Sequence, residues 1–214
     1  MIEFSTIEIA KLDQVKLLGN HNLQNVLAGV LIAILAGEDK NHIKNQLSQF
    51  NGVSHRLEFV ADIDNVGFYN DSKATNVAST IVAMNSIDAD MTVILGGSDK
   101  GLSYDDLFIK APKTVKNFIC IGETKQKIMD TALFYGVSNV YEVDTLKEAV
   151  DLGFSLSKNG DAVLLSPACA SFDMFSSYEE RGKVFMKIVR EKLRHEEKQK
   201  RKKDRLREKQ KNIT

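Results

Sequence analysis

Residues 92–122 read TVILGGSDKGLSYDDLFIKAPKTVKNFICIG. The stretch opens on a short apolar run, Thr92 to Leu95, that stops at Gly96-Gly97. A helical segment, Tyr104 to Lys110, follows. A second apolar run, Val115 to Ile121, then stops at Gly122. Short apolar runs closed by glycine read as buried strands, and strands spaced by helices of about ten residues form parallel βαβ units. The pattern continues toward the C-terminus. It gives a helix Lys125 to Tyr135 closed by Gly136, a strand Val140 to Val143, and a helix Thr145 to Leu156 with Thr145 as N-cap. A strand Asp161 to Leu165 and a long helix from Tyr178 complete it. The expected fold is α/β, with a doubly wound, mostly parallel sheet. Ligands of such sheets bind beyond the carboxyl ends of the strands, which here means residues 96–101, 122–123 and 166–173.

Toward the N-terminus, Leu57, Phe59, Ala61 and Ile63 alternate with Glu58, Val60 and Asp62. Val66, Phe68 and Tyr69 follow an Asp64-Asn65 turn, and the two runs read as a hairpin. The stretch Asn76 to Ser86 is helical. Ahead of Ser54 the period changes. Leu23, Val26, Leu27, Val30, Leu31, Ile34 and Leu35 mark a helix over His21 to Ala36, and a second helix runs from Lys40 to Gln49. A strand or loop ending at Gly19 precedes them. These two helices have apolar stripes but no sheet of their own to cover. Three regions follow: 1–53, a helical remnant of another domain; 54–190, the α/β domain; and 191–214, a basic tail that extends the last helix or frays.

The chain has 214 residues, 43% hydrophobic and 27% charged, with a formal net charge of zero. That balance points to neither nucleic acid nor a membrane surface as partner. The two cysteines, Cys120 and Cys169, have no second cysteine at metal-ligand spacing and read as reduced, buried thiols. No signal-peptide pattern and no bilayer-length apolar run occurs, so a cytoplasmic location is expected.

Five constellations could carry chemistry. Asn22 and Asn25, three apart on one helix face, offer amides suited to a purine edge; the alternative is that Asn20 or Asn22 merely caps the helix. At His55-Arg56, the planar guanidinium fork suits a phosphate, though a plain surface arginine fits as well. The run Asn70-Asp71-Ser72-Lys73-Ala74-Thr75-Asn76 crowds polar groups at a helix N-terminus, where amide hydrogens attract anions; Asp71 could accept from ribose hydroxyls, and a capped turn is the simpler alternative. Gly96 to Gly101 with Lys100 could hold a carboxylate or phosphate, but is not G-x-x-x-x-G-K-[ST], and no such loop occurs in the sequence. The stretch Leu164 to Asp173 sends a buried strand into Ser166-Pro167 and small residues. It would let a ligand approach the backbone, with Ser171 exposed at a helix start. Covalent catalysis by Cys169 or Ser171 has little support without a neighbouring histidine.

The order and spacing of these stretches resemble the Mur ligase family, in its D-glutamate-adding branch. DSKATN at 71–76 and SPACASFD at 166–173 discriminate, and Phe175, Tyr178, Glu179, Arg181, Gly182 and Phe185 extend the match. The likeness covers residues 15 to 190. It implies an enzyme that uses ATP and Mg²⁺ to activate the carboxylate of UDP-N-acetylmuramoyl-L-alanine as an acyl phosphate. D-glutamate then attacks it, in the synthesis of a peptidoglycan precursor. Asn22 and Asn25 would contact adenine. His55, Arg56 and Asp71 would reach the ribose and phosphates. Lys73, Thr75, Lys100, Ser171 and Phe172 would hold D-glutamate, with Tyr178 lining that pocket. No catalytic residue and no metal ligand is assigned within the chain. The resemblance also implies that the UDP-sugar domain, the phosphate cradle and the main magnesium ligands lie outside it. The chain alone is therefore expected to be inactive, and a separate polypeptide carrying those parts is one partner this leaves open. A non-catalytic module that binds D-glutamate or nucleotide is the other expectation.

Overall fold

The structure, a computed structural model, describes residues 9, 19–50 and 52–211. The stretch expected to be strand or loop before Gly19 lies, apart from Ile9, outside the described residues. The chain divides into two compact units, Met1–Ser54 and His55–Thr214.

In the first unit, α1 spans Asn20–Leu35 and α2 spans Lys40–Gln49. Asp39 starts α2 by accepting the amides of Asn41 and His42, so two otherwise orphaned donors are satisfied. The N-cap of α1 is Gly19, with a φ of 88° and no side-chain cap bond. Asparagine capping is therefore not how this helix begins. Leu27, Leu31, Ile32 and Leu35 of α1 are exposed.

The second unit holds β1 (Glu58–Ile63), β2 (Val66–Asn70), α3 (Val77–Met84), β3 (Met91–Gly96), α4 (Asp105–Ile109), β4 (Val115–Ile121), α5 (Lys125–Phe134), β5 (Val140–Glu142), α6 (Leu146–Leu156), β6 (Ala162–Leu165) and α7 (Tyr178–Lys211). Its one sheet has the order β1-β2-β6-β3-β4-β5. Only the β1–β2 hairpin is antiparallel, and every other pairing is parallel. Asp64 and Asn65 both have positive φ, at 55° and 61°, as a two-residue I′ turn requires of its central pair.

Side-chain alternation makes the sheet two-faced. Val93, Leu95, Phe118, Cys120 and Leu164 join α3, α4 and α5 in one buried cluster. Their sequence neighbours Ile94, Ile119, Ile121, Val163 and Leu165 join α6 and α7 in the other. Both faces are covered, as a doubly wound fold demands. Thr145 and Glu148 close a capping box at the start of α6, which fixes that helix against its face. The last helix does not break at residue 190: Lys192 pairs with Asp151 at 2.7 Å and Leu193 packs on the second cluster. Among the described residues no helix is long and apolar enough to cross a membrane.

Candidate functional site

The parallel strands β2, β6 and β3 deliver three loops to the same end of the sheet: residues 71–76, 166–177 and 97–104. What joins these loops is Arg181, in the first turns of α7 and 1% exposed. Its Nε donates to Ser72 Oγ at 2.9 Å and its Nη2 to Ser72 O at 2.9 Å. Nη2 also reaches Cys169 O at 3.0 Å, and Nη1 reaches Ala170 O at 3.1 Å. Burial pulls its pKa down to about 10, so it stays cationic at neutral pH. The guanidinium fork is therefore spent on the oxygens of two loops. Ala170 O accepts a second bond from the Ser98 amide at 3.0 Å, and this brings in the third loop. A Cβ on Gly97, whose φ is 146°, would lie 2.0 Å from that same carbonyl. Glycine at the end of β3 thus permits a close backbone approach. The glycines read from sequence as a ligand cradle have this structural duty.

Beside Arg181, Ser72 Oγ donates to Tyr178 O at 2.8 Å. The Lys73 amide donates to His55 O at 3.0 Å, and its ammonium sits 5.9 Å from the Tyr178 ring centroid. Asn70 Oδ1 accepts the Ser72 amide at 3.2 Å, which turns Asn70 Nδ2 toward His55 Nδ1 at 2.9 Å. In the neutral ring the proton then sits on Nε2. His55 has a φ of 63°, and its ring packs so closely on α7 that a Cβ on Gly182 would lie 2.3 Å from Nδ1.

Asp71 is buried. Its Oδ1 accepts the Leu57 amide at 3.1 Å and its Oδ2 accepts Ser166 Oγ at 2.8 Å. Burial lifts its carboxyl to about 6, against the opposing pull of those bonds and of Arg56. Ser166 also shares Thr80 Oγ1 at 3.1 Å. One buried carboxylate therefore links the ends of β2 and β6 to the turn ahead of β1.

The residues singled out in the sequence sort into two groups. Arg56, Lys100 and Phe172 are exposed, and Lys73, Thr75 and Tyr178 are half-buried, all on the three loops or their borders. His55, Asp71 and Ser171 are buried, and the first two are already bonded within the fold. Ser171 corrects an expectation. It is not exposed at a helix start, because α7 begins only at Tyr178. It is 2% exposed, and its hydroxyl has no hydrogen-bond partner. An unsatisfied buried hydroxyl costs about 1–3 kcal/mol, a cost that an added acceptor or donor would remove. In the first unit Asn22 is buried and Asn25 exposed.

Sequence reasoning noted Arg181 and Gly182 only as matching residues and missed their roles. A helical period was the available signal, since Arg181, Phe185, Val189 and Lys192 share a face of α7. Cys169 donates to or accepts from Tyr104 Oη at 3.1 Å and Thr124 Oγ1 at 3.3 Å. Burial raises its thiol pKa and pushes that of Cys120 up to about 12. Both stay protonated, which argues against a thiolate nucleophile. Among the described residues no group of three or more histidine, cysteine or acidic side chains is placed to hold a metal ion.

Residues 55–169, more than half of the chain, match the family described as Mur ligase, glutamate ligase domain. The chain belongs to the Mur ligase family. Its similarity to individual Mur ligases is high. The UDP-N-acetylmuramoylalanine--D-glutamate ligase of Caldanaerobacter subterraneus is 44% identical over 184 residues, covering 85% of this chain and 41% of that protein. The enzyme of the same name from Clostridioides difficile is 45% identical over 179 residues, covering 84% and 40%. The chain thus spans about two-fifths of the length of the curated relatives it matches. Among solved structures, UDP-N-acetylmuramate-alanine ligase from Thermotoga maritima superposes with a TM-score of 0.61 at 19% identity, over 83% of this chain and 40% of that one. Folylpolyglutamate synthase from Mycobacterium tuberculosis gives 0.60 at 15% identity, over 79% and 41%. These two establish that the Mur ligase domain fold is shared.

Proposed function

We propose that this chain supplies the D-glutamate-binding side of a cytoplasmic, ATP-dependent ligase that joins D-glutamate to UDP-N-acetylmuramoyl-L-alanine through an acyl phosphate, in peptidoglycan precursor synthesis. The observation that carries this reading is the junction at Ala170. There the backbone next to Ser171 bonds both Ser98, two residues before Lys100, and Arg181, which holds Ser72 beside Lys73. Two cations and a buried hydroxyl without a partner would then border one rim. A small dicarboxylate is the ligand that such a set complements. Thr75, Phe172 and Tyr178 would shape the same pocket.

ATP with Mg²⁺, when bound, supplies the phosphoryl group that activates the acceptor carboxylate. Of the residues tied to nucleotide by resemblance, Arg56 presents an exposed guanidinium fit for a phosphate. His55 and Asp71 fix the backbone on either side of it, so their contribution is to aim Arg56 and Lys73. Within these residues the work is binding and orientation of the amine nucleophile. Transfer of the phosphoryl group needs a phosphate loop that the sequence lacks.

Titration calorimetry with D-glutamate against L-glutamate tests the pocket. Saturable, enantioselective heat is expected, and equal or absent heat for both would refute the reading. A second experiment separates it from a non-catalytic binding module. The purified chain should release no phosphate from ATP alone. It should do so, dependent on D-glutamate, when a polypeptide bearing the phosphate loop and UDP-sugar domain of a relative is added. D-glutamate binding with no restored turnover would favour the module.

A further inference from the structure

The chain's formal net charge is zero, yet α7 segregates its charges by face. At 100° per residue, Lys183, Lys187, Arg190, Arg194, Lys198 and Arg201 fall within about 80° of arc and run about 27 Å along the helix. All six are exposed. Among the described residues none of them forms an ion pair. Between Lys183 and Arg201 no acidic or apolar side chain falls within the arc, while Glu180 lies at its edge just before the row and Glu191 and Glu197 flank it by about 20°. The opposite face is committed to the domain. Phe185 and Val189 are fully buried. Lys192 pairs with Asp151 and lies 4.7 Å from the Phe154 ring centroid. Lys200 pairs with Asp64 of the hairpin turn. The body thus holds α7 along most of the stripe, with the cations turned outward in a straight row.

We propose that this outer face of α7 is an electrostatic docking surface for an anionic lipid bilayer. Charge complementarity and shape choose the partner. A straight row laid on the outside of a duplex meets phosphates only where a backbone ridge crosses it. A plane of anionic headgroups meets every cation at once. Clusters of four to eight Lys and Arg residues on a helix suit such a surface. Without an apolar side chain in the arc there is nothing to insert among acyl chains, so the contact is peripheral, weakened by salt and independent of the glutamate pocket. Composition alone gave no hint of it, because an acidic body hides the row in the sum.

The test is co-sedimentation of the full 214-residue chain with phosphatidylcholine vesicles, with and without about a third phosphatidylglycerol. Binding only to the anionic vesicles is expected, with release as salt is raised from about 50 mM to about 500 mM. The triple variant K187E/R194E/R201E should lose at least about a hundredfold in partitioning. A variant with the same charge change elsewhere, K44E/K113E/K158E, should lose less than about threefold. Circular dichroism checks that both variants keep their helix. Three results would overturn the proposal: wild-type chain that ignores anionic vesicles, equal losses in the two variants, or tighter binding to a short DNA duplex at equal phosphate concentration.

Discussion

Two loops at the carboxyl end of the sheet each carry a lysine, and they are built in opposite ways. The loop after β2 is internal: Asn70, Asp71 and Ser72 are all buried and bonded to His55, Ser166 and Arg181. The loop after β3 is anchored at its ends, by Gly97 and Ser98 against Ala170 and by the buried Tyr104, but its tip is external. Asp99 caps the Gly101 amide at 2.8 Å and pairs with Lys127 at 3.1 Å, all in solvent. Lys73 is therefore delivered by a frame that cannot shift without breaking buried hydrogen bonds. Lys100 is delivered by a turn that costs little to move. Under the proposed function, the first loop would set the place of the ligand, and the second would adjust around it.

Four substitutions break or sharpen this contrast. The largest effect is expected at Arg181. R181M strands the oxygens of Ser72, Cys169 and Ala170 and should cost about 3–5 kcal/mol, read from urea unfolding, together with all D-glutamate binding. Next comes G182A. Its methyl would meet the His55 ring, and about 1–3 kcal/mol of overpacking is expected by the same measurement.

Asp71 gives a pH signature. Its pKa is raised in the fold from the usual range to about 6. Its contribution to stability is therefore fully present below about pH 4 and lost as pH rises through about 6, worth about 3 kcal/mol. D71N should flatten the urea midpoint between those two pH values, while wild type falls across them. The smallest stability effect belongs to the outer loop. K100A should stay within about 0.5 kcal/mol of wild type while weakening D-glutamate roughly tenfold in calorimetry. A K100A chain as unstable as R181M would show that the two loops are not built differently.

The same contrast explains what the sequence could disclose. Strand and helix positions were legible because one-dimensional patterns cause them. Lys40–Gln49 and Val115–Ile121 occur at the expected bounds, one fixed by the Asp39 cap and the other by an apolar run with glycine after it. The hairpin followed from alternation and from Asp64-Asn65, residue types that tolerate the positive φ of the turn. The burial of His55, Asp71 and Ser171 was not legible. Polar residues in a loop read as exposed unless their partners are known, and those partners lie far along the chain: Ser166 is 95 residues from Asp71, and Arg181 is 109 from Ser72. For Ser171 the misreading was local: a helix start was expected at Ser171 as well as at Tyr178, and only the second exists. Of the cationic row on α7, Arg194, Lys198 and Arg201 were read as part of a basic tail, and Lys183, Lys187 and Arg190 as part of the α/β domain; the one-sidedness of the row shows only when the helix is known to continue from the packed domain.

The most direct test of the central claim is amide chemical-shift mapping of the ¹⁵N-labelled chain during titration with D-glutamate. Signals from residues 72–75, 98–101 and 170–173 should move together with a single saturation constant, and L-glutamate should leave them in place. Shifts confined to one of these loops, or the same shifts with either enantiomer, would contradict a shared pocket at the junction around Ala170.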